Sequence, residues 1–233
     1  MNNKADAIRL YSAEVCPFAH RTRLLLAEKG AAYELSEIDL KNMPDWFRDI
    51  SPYGKVPLLE VGEDRIWESA VINEYLEEIL PEPPFMPADA SGRARARIWV
   101  DYANNYFVPC FYKLLLEQDV DRQEELASRL RERLGHMEAV GFGDDNPGPW
   151  WLGAQFTLVD LSFYPFFERF CVLEHYRQVS LTEYPRLSGW LQAMGQRDSV
   201  QAHQLTPDLY LRRYSEYATG SAAGKTAQEM RDA

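Results

Sequence analysis

Cysteine is scarce in this chain, and basic residues are outnumbered by acidic ones. The three cysteines, Cys16, Cys110 and Cys171, lie far apart and lack metal-ligand spacing. This pattern disfavours a disulfide framework and a zinc site, so we expect a reducing, cytoplasmic compartment and no metal. The chain has 25 Lys and Arg against 36 Asp and Glu, a formal net charge of −11. Nucleic acid is therefore not an expected partner, because phosphate binding requires a concentrated basic face.

Long apolar runs are also missing. No stretch approaches the roughly 18 apolar residues of a membrane span, and Met1 to Asp6 contain no apolar signal segment. We therefore expect no membrane association. The only basic cluster is small, and we expect its members on solvated helix faces: Arg21, Arg23, Arg93, Arg95 and Arg97.

The hydrophobic content of 46% is enough for the cores of one large or two ordinary domains. In the first half, strand-like and helix-like patterns alternate in the order βαβ and then ββα: residues 8–12, 17–29, 33–38, 56–61, 65–67 and 68–79. This order predicts a small mixed sheet with helices, whose last two strands form an antiparallel hairpin. A proline-rich linker over residues 83–89 is expected to end this domain, residues 1–82.

After the linker the pattern predicts an all-helical domain over residues 90–219. Two capping boxes are expected to begin helices, one from Asp121 to Glu124 and one from Thr157 to Asp160. The second should open a helix that is central to the core, with these apolar residues: Phe163, Phe166, Phe167 and Phe170. The last helix should begin at 206–207, and the small, polar residues 220–233 are predicted to form a disordered tail.

Cys16 lies where the first predicted strand passes into the first predicted helix. Pro17 suits the first helical position, because its missing N–H would have no partner inside the helix. Cys16 is then the N-cap, where the helix dipole and backbone N–H groups lower a cysteine pKa from about 8.5 toward neutrality. The sequence thus predicts a nucleophilic thiolate. The alternative is a small, buried apolar residue.

Several short motifs follow one another along the chain: Cys16-Pro17-Phe18-Ala19, Arg21-Thr22-Arg23, Leu40-Lys41-Asn42, Trp46-Phe47, Gly54, Val56 to Glu60, Glu68-Ser69, and the pair Thr157 and Asp160. In this order and at this spacing, over about residues 8 to 215, they resemble the cytosolic glutathione transferases. Within that family they resemble most the omega class, which are cysteine-type thiol transferases. The resemblance implies a thioredoxin-like α/β N-terminal domain and an all-α C-terminal helical bundle.

The resemblance also implies glutathione as the co-substrate, without a metal. Val56 would pair its backbone with the cysteinyl unit of glutathione like an added strand, with a cis bond before Pro57. The γ-glutamyl carboxylate would accept hydrogen bonds from the Ser69 hydroxyl and from backbone N–H groups at the helix start, Glu68-Ser69. Phe18 is a further implied contact. The alternatives are an ordinary turn and an ordinary helix start.

One position departs from the omega pattern. Met43 stands where omega members carry a lysine for the glycyl carboxylate of glutathione. Lys55 could bind this carboxylate instead, because it directly precedes Val56; a solvated Lys55 is the alternative. His20 occupies a position that is usually acidic in the omega pattern, and we expect it at the surface.

The cysteine implies a thiol-exchange mechanism. The Cys16 thiolate would take up glutathione from a mixed disulfide or a glutathionyl adduct, and a second glutathione would release it. No second protein cysteine is needed, and the position of a resolving cysteine is occupied by Ala19. The implied reactions are deglutathionylation, dehydroascorbate-type reduction and cleavage of glutathionyl conjugates, on a small electrophile that is hydrophobic or contains a disulfide.

An electrophile pocket is expected between the two domains, and its aromatic wall would include four residues: Trp99, Tyr102, Tyr106 and Tyr164. For each of them, a place in the core is the alternative. The family likeness also implies a homodimer. The competing function is a non-enzymatic interaction protein, similar to the stringent starvation proteins that bind RNA polymerase. Those proteins lack the cysteine motif, so Cys16 favours an enzyme. It also disfavours a serine-type conjugating transferase.

Overall fold

The computed structural model describes residues 7–142 and 146–232. The chain divides into two compact units, Met1–Pro84 and Phe85–Ala233. This division falls inside the proline-rich segment 83–89. Within the described residues, no helix is long and apolar enough to cross a membrane.

A four-stranded mixed sheet forms the centre of the first unit. Its strands are β1 (Ile8–Ser12), β2 (Glu34–Glu37), β3 (Leu58–Val61) and β4 (Asp64–Trp67), in the order β2-β1-β3-β4. β1 is parallel to β2 and antiparallel to β3, and β3 pairs with β4 as the predicted hairpin. The hairpin turn contains Gly62 at a φ of 61°, which glycine adopts without steric cost.

Within the described residues of this unit, three helices accompany the sheet: α1 (Pro17–Glu28), α2 (Asp45–Ile50) and α3 (Ser69–Ile79). The predicted order, βαβ followed by ββα, is confirmed. One apolar cluster of the core contains residues from the strands, the helices and the loops between them: Tyr11, Ala13, Cys16, Ala19, Ile38, Phe47, Val56 and Leu58. Phe18, Met43 and Ile50 pack against this cluster. Cys16 and Val56 therefore belong to the same core.

In the second unit, the described residues form helices: α4 (Ala90–Tyr102), α5 (Val108–Leu116), α6 (Val120–His136), α7 (Leu158–Glu168), α8 (Cys171–Arg177), α9 (Pro185–Gly195), α10 (Asp198–His203), α11 (Pro207–Ala218) and α12 (Lys225–Asp232). π-Helical turns extend α4 and α6, over Ala103–Phe107 and Met137–Gly141. The predicted all-helical character is confirmed for the described part of this unit.

The start of α7 has the predicted capping box. Asp160 is fully buried and accepts hydrogen bonds from the backbone N–H groups of Thr157 and Trp151 and from Trp190 Nε1, at 2.8, 2.9 and 2.9 Å. Burial raises the pKa of Asp160 to about 6, although these hydrogen bonds oppose the shift. The apolar residues predicted for this helix are all buried, although the helix ends before the last of them: Phe163, Phe166, Phe167 and Phe170.

Two predictions about the second unit are wrong, one about the start of α6 and one about the C-terminal tail. α6 begins at Val120, and its N-cap is Asp119, whose carboxylate accepts from the N–H of Arg122 at 3.0 Å. The expected box from Asp121 to Glu124 starts two residues too late. The expected disordered tail contains α12, in which the fully buried Ala227 allows close packing.

The expectation of solvated side chains at the start of α1 is also wrong. His20 and Arg21 are each 1% exposed, and Arg23 is 6% exposed. The residues from His20 to Arg23 form a polar run that covers a full helical turn. Some of them must therefore face inward on a helix that is packed from several sides.

Candidate active site

Cys16 is the N-cap of α1, with extended backbone angles (φ −75°, ψ 116°), and Pro17 is the first helical residue. Its side chain is buried, and its Sγ donates to the carbonyl oxygen of Val56 at 3.7 Å. The sulfur therefore lies beside the backbone segment that was predicted to hold glutathione. All three cysteines lie in the described part, and none forms a disulfide. Burial raises the pKa of Cys110 and of Cys171, which makes those two poor nucleophiles at neutral pH.

A buried arginine fixes the loop that leads into Cys16. Arg23 Nη1 donates to Ser12 Oγ at 2.5 Å and to the carbonyl of Ala13 at 3.2 Å. Arg23 Nη2 donates to the carbonyl of Glu14 at 2.9 Å. The same Ala13 carbonyl accepts from the N–H of Cys16 at 2.9 Å. One guanidinium thus holds the turn that places the thiol at the helix start.

The Val56-Pro57 peptide bond is cis, as the resemblance implies. It lies just before β3, and both residues are buried. Ser51 binds the residue before this segment: its Oγ accepts a hydrogen bond from the N–H of Lys55 and donates one to the carbonyl oxygen of Lys55, both at 3.0 Å. Ser51 itself is buried. This hydroxyl fixes the backbone directly before Val56.

Met43 and Lys55 come from neighbouring parts of this loop region. Met43 is half-buried, and its Sδ lies 3.7 Å from the position that a Cβ on Gly54 would take. Lys55 follows Gly54 directly and is half-buried. A thioether carries no charge, whereas an ammonium can bind a carboxylate. Lys55 is therefore the better candidate of the two for the glycyl carboxylate.

Glu68, the N-cap of α3, has an unusual backbone conformation. Its φ is 66° and its ψ is 112°, outside the range that a residue with a Cβ normally adopts. Such strain costs roughly 1–3 kcal/mol and is concentrated at functional sites. Ser69, the first residue of α3, is 5% exposed. The strained backbone therefore supports a functional role for the start of α3.

Arg21 joins two predicted glutathione contacts. Its Nη1 donates to Ser69 Oγ at 3.2 Å, and its guanidinium carbon lies 5.3 Å from the centre of the Phe18 ring. Helices α1 and α3 are also joined nearby, where Thr22 Oγ1 donates to Asn73 Oδ1 at 2.9 Å. These contacts bring Phe18 and Ser69 into one local structure.

Three of the four residues proposed for the electrophile pocket form a row in the second unit. The ring centres of Trp99 and Tyr102 are 5.3 Å apart, and those of Tyr102 and Tyr106 are 5.4 Å apart. His136 packs against Trp99 and Tyr102, at 5.6 and 5.2 Å. Tyr164 is buried next to another residue, and its ring centre lies 6.5 Å from that of Trp190. The structure thus does not place Tyr164 in this row.

A cavity of about 510 Å³ lies within the second unit, and of the four predicted pocket residues it is lined by Trp99 alone. Other lining residues include Arg95, Val140 and Trp151. No group of three or more His, Cys, Asp and Glu side chains in residues 7–142 and 146–232 is arranged to hold a metal ion.

The sequence did not identify Arg21, Arg23, Ser51 or Asn73 as parts of the site. For the two arginines a signal was present, because a polar run over a full turn of an apolar helix must place some charge inward. Ser51 and Asn73 carry no comparable signal, since their partners lie elsewhere in the chain and only the fold brings them together.

Comparisons with known proteins agree with this architecture. Two family models match, the glutathione S-transferase N-terminal domain over residues 15–79 and the C-terminal domain over residues 115–193. The chain is 33% identical to glutathione S-transferase omega-1 of Mus musculus over 205 residues, which are 87% of this chain and 82% of the relative. It is 32% identical to glutathione S-transferase omega-2 of Rattus norvegicus over 213 residues, covering 88% and 81% of the two chains.

Solved structures give the same result. Glutathione transferase Omega 3C of Trametes versicolor has a TM-score of 0.81 and 30% identity, covering 91% of this chain and 90% of that one. A rice glutathione transferase, solved in complex with glutathione, has a TM-score of 0.84 and 28% identity, covering 94% and 100%. The chain therefore belongs to the glutathione S-transferase family of enzymes and has omega-class members among its relatives.

Proposed function

We propose that this protein is a cysteine-type glutathione transferase that transfers thiols through a mixed disulfide between Cys16 and glutathione. The observation that carries the proposal is the 3.7 Å contact between Cys16 Sγ and the carbonyl of Val56. An extended ligand paired with Val56 would have its own cysteinyl sulfur next to the protein sulfur. The site is therefore suited to thiol exchange.

In the first step, the Cys16 thiolate attacks the glutathione sulfur of a mixed disulfide. The substrate S–S bond breaks, a disulfide forms between Cys16 and glutathione, and the substrate leaves as a thiolate that takes up a proton. In the second step, the thiolate of another glutathione attacks the glutathionyl sulfur. Oxidised glutathione leaves and the Cys16 thiolate is regenerated, so the net reaction converts the mixed disulfide and one glutathione into the free thiol and oxidised glutathione, and the proton lost by the incoming glutathione balances the one taken up by the leaving thiolate.

The remaining contacts hold glutathione in place. The rice relative was solved in complex with glutathione, which supports the same ligand here. Val56 would bind its backbone, Phe18 would pack against it, and the Ser69 hydroxyl with the helix start at Glu68 would bind the γ-glutamyl carboxylate. In this proposal Lys55 binds the glycyl carboxylate, because Met43 has no charged group to do so.

The substrate in this proposal is a small hydrophobic or disulfide-containing electrophile. The aromatic row of Trp99, Tyr102 and Tyr106 would supply an apolar surface for it. The reactions that fit are deglutathionylation, dehydroascorbate-type reduction and cleavage of glutathionyl conjugates. A cytoplasmic location and a homodimer remain part of the proposal.

Mass spectrometry of the intact protein after exposure to oxidised glutathione tests the central step. We expect one glutathionyl group on Cys16, and none on that position in the Cys16→Ala variant. Cys171→Ala is the matched control, because Cys171 is the cysteine with the greater exposure of the remaining two. This control should form the adduct at the wild-type rate.

A wild-type protein without the adduct, or a Cys16→Ala variant with full thiol-transfer activity, would contradict the mechanism. Rates with an aromatic halide and with a disulfide substrate separate conjugation from thiol transfer. Failure to bind immobilised glutathione would favour the non-enzymatic interaction protein.

A further inference from the structure

We propose that Arg21 is a positioning residue for the γ-glutamyl end of glutathione and that it acts through Ser69. This inference rests on the function proposed above. Arg21 is 1% exposed and lies on α1, whereas Ser69 is the first residue of α3. The two side chains meet through the 3.2 Å hydrogen bond between Arg21 Nη1 and Ser69 Oγ.

The direction of this hydrogen bond determines what the serine can do. A guanidinium has only donors, so the Ser69 oxygen accepts in this contact. The hydroxyl hydrogen of Ser69 is not used by this bond and must point to another acceptor. A carboxylate at the start of α3 is an acceptor of the required kind. Arg21 therefore sets Ser69 as a donor toward the ligand.

The charge of Arg21 acts in the same direction. A buried cation next to the positive end of α3 increases the attraction for a carboxylate at that end, because few water molecules screen it. Its position is fixed by the Phe18 ring at 5.3 Å and by the packing of α1 against α3. One planar side chain thus orients Ser69 and supports Phe18 at the same time.

The test compares two disulfides that differ only in the γ-glutamyl group, oxidised glutathione and oxidised cysteinylglycine. For each, the rate constant of adduct formation on Cys16 is measured by mass spectrometry. The wild type should prefer oxidised glutathione. In Arg21→Met, which keeps an unbranched apolar stem but removes the guanidinium, we expect this preference to fall roughly tenfold, the range expected for a lost hydrogen bond to a charged group.

Two further variants separate positioning from a merely structural role. Ser69→Ala should lower the preference by a similar factor, and the double variant Arg21→Met with Ser69→Ala should lower it little further, because Arg21 is proposed to act through Ser69. Arg23→Met removes another buried guanidinium from α1, one that contacts the loop before Cys16. It should slow both disulfides by the same factor and leave the preference unchanged.

The possible failures are distinguishable. A wild type that forms no Cys16 adduct with either disulfide contradicts the proposed function. A wild type that prefers oxidised glutathione, with the full preference kept in folded Arg21→Met, overturns the role of Arg21 alone. Equal slowing of both disulfides in Arg21→Met also overturns it. If Arg21→Met does not fold, Ser69→Ala carries the test, and an undiminished preference in that folded variant overturns the proposal because Arg21 is proposed to act through Ser69.

Discussion

The helices that begin at the candidate active site start differently from four helices of the second unit. α1 begins after Cys16, and α3 begins after Glu68. In these two described helices the N-cap side chain makes no capping hydrogen bond. In the second unit, α4, α6, α7 and α11 follow side chains that accept from a first-turn N–H: Asp89, Asp119, Thr157 and Thr206.

The residue at the N-cap position can either stabilise the helix or leave its backbone N–H groups available for a ligand. A side-chain cap typically contributes about 1 kcal/mol to stability, but it occupies the same backbone N–H groups that can bind an anion. At α1 and α3 the N-cap positions instead carry a thiol and a residue with a strained backbone. Four helices of the second unit thus have a stabilising side chain at this position, whereas α1 and α3 have residues of the candidate site there.

The largest effect is expected at the best-capped helix. Asp160→Ala removes the acceptor for Thr157, Trp151 and Trp190 and leaves buried donors without a partner. We expect the free energy of unfolding, measured by urea denaturation, to fall by about 3–5 kcal/mol. A loss below about 1 kcal/mol would break the comparison, because the capped helix starts would then not carry the stability.

The same residue predicts a pH dependence. The pKa of Asp160 is raised by burial from 3.8 to about 6. Because the folded state binds this proton more tightly than the unfolded state, the resulting stability is fully present below about pH 4 and is lost as the pH rises through about 6. The expected loss is about 3 kcal/mol.

Urea denaturation between pH 4 and pH 8 in the wild type and in Asp160→Asn measures this effect. The variant has no titrating group at this position, so the difference between the two proteins should change across the window. A constant difference from pH 4 to pH 8 would contradict the pKa shift.

The smallest effect is expected at a simple cap. Asp119→Ala removes the acceptor for the N–H of Arg122, and we expect a loss of about 1 kcal/mol in the free energy of unfolding. Asp119→Asn keeps a capping oxygen and should remain near wild-type stability. The rate of Cys16 adduct formation should be unchanged in both variants. A slower rate in Asp119→Ala would show that this cap also serves the site.

Much of the fold follows from signals between residues that are close in sequence. The strand and helix alternation of the first unit, the Cys16-Pro17 helix start and the box from Thr157 to Asp160 all involve neighbours within one or two turns. The prediction for the start of α6 was wrong because Asp119 and Asp121 are both suitable N-caps, and the local sequence does not distinguish between them. α12 was not predicted because its small, polar residues give no apolar pattern, although Ala227 is buried.

The sequence by itself determined the nucleophile candidate and the helix on which it lies, because these depend on a few adjacent residues. The tertiary structure alone decided that Cys16 meets Val56 and that Arg21 meets Ser69. Those partners lie 40 and 48 residues apart, and neither contact has a local pattern. The physical reason is burial. From the sequence alone a charged residue such as Arg21 is expected to be exposed to solvent, because its acceptor, Ser69, comes into contact with it only when α1 packs against α3.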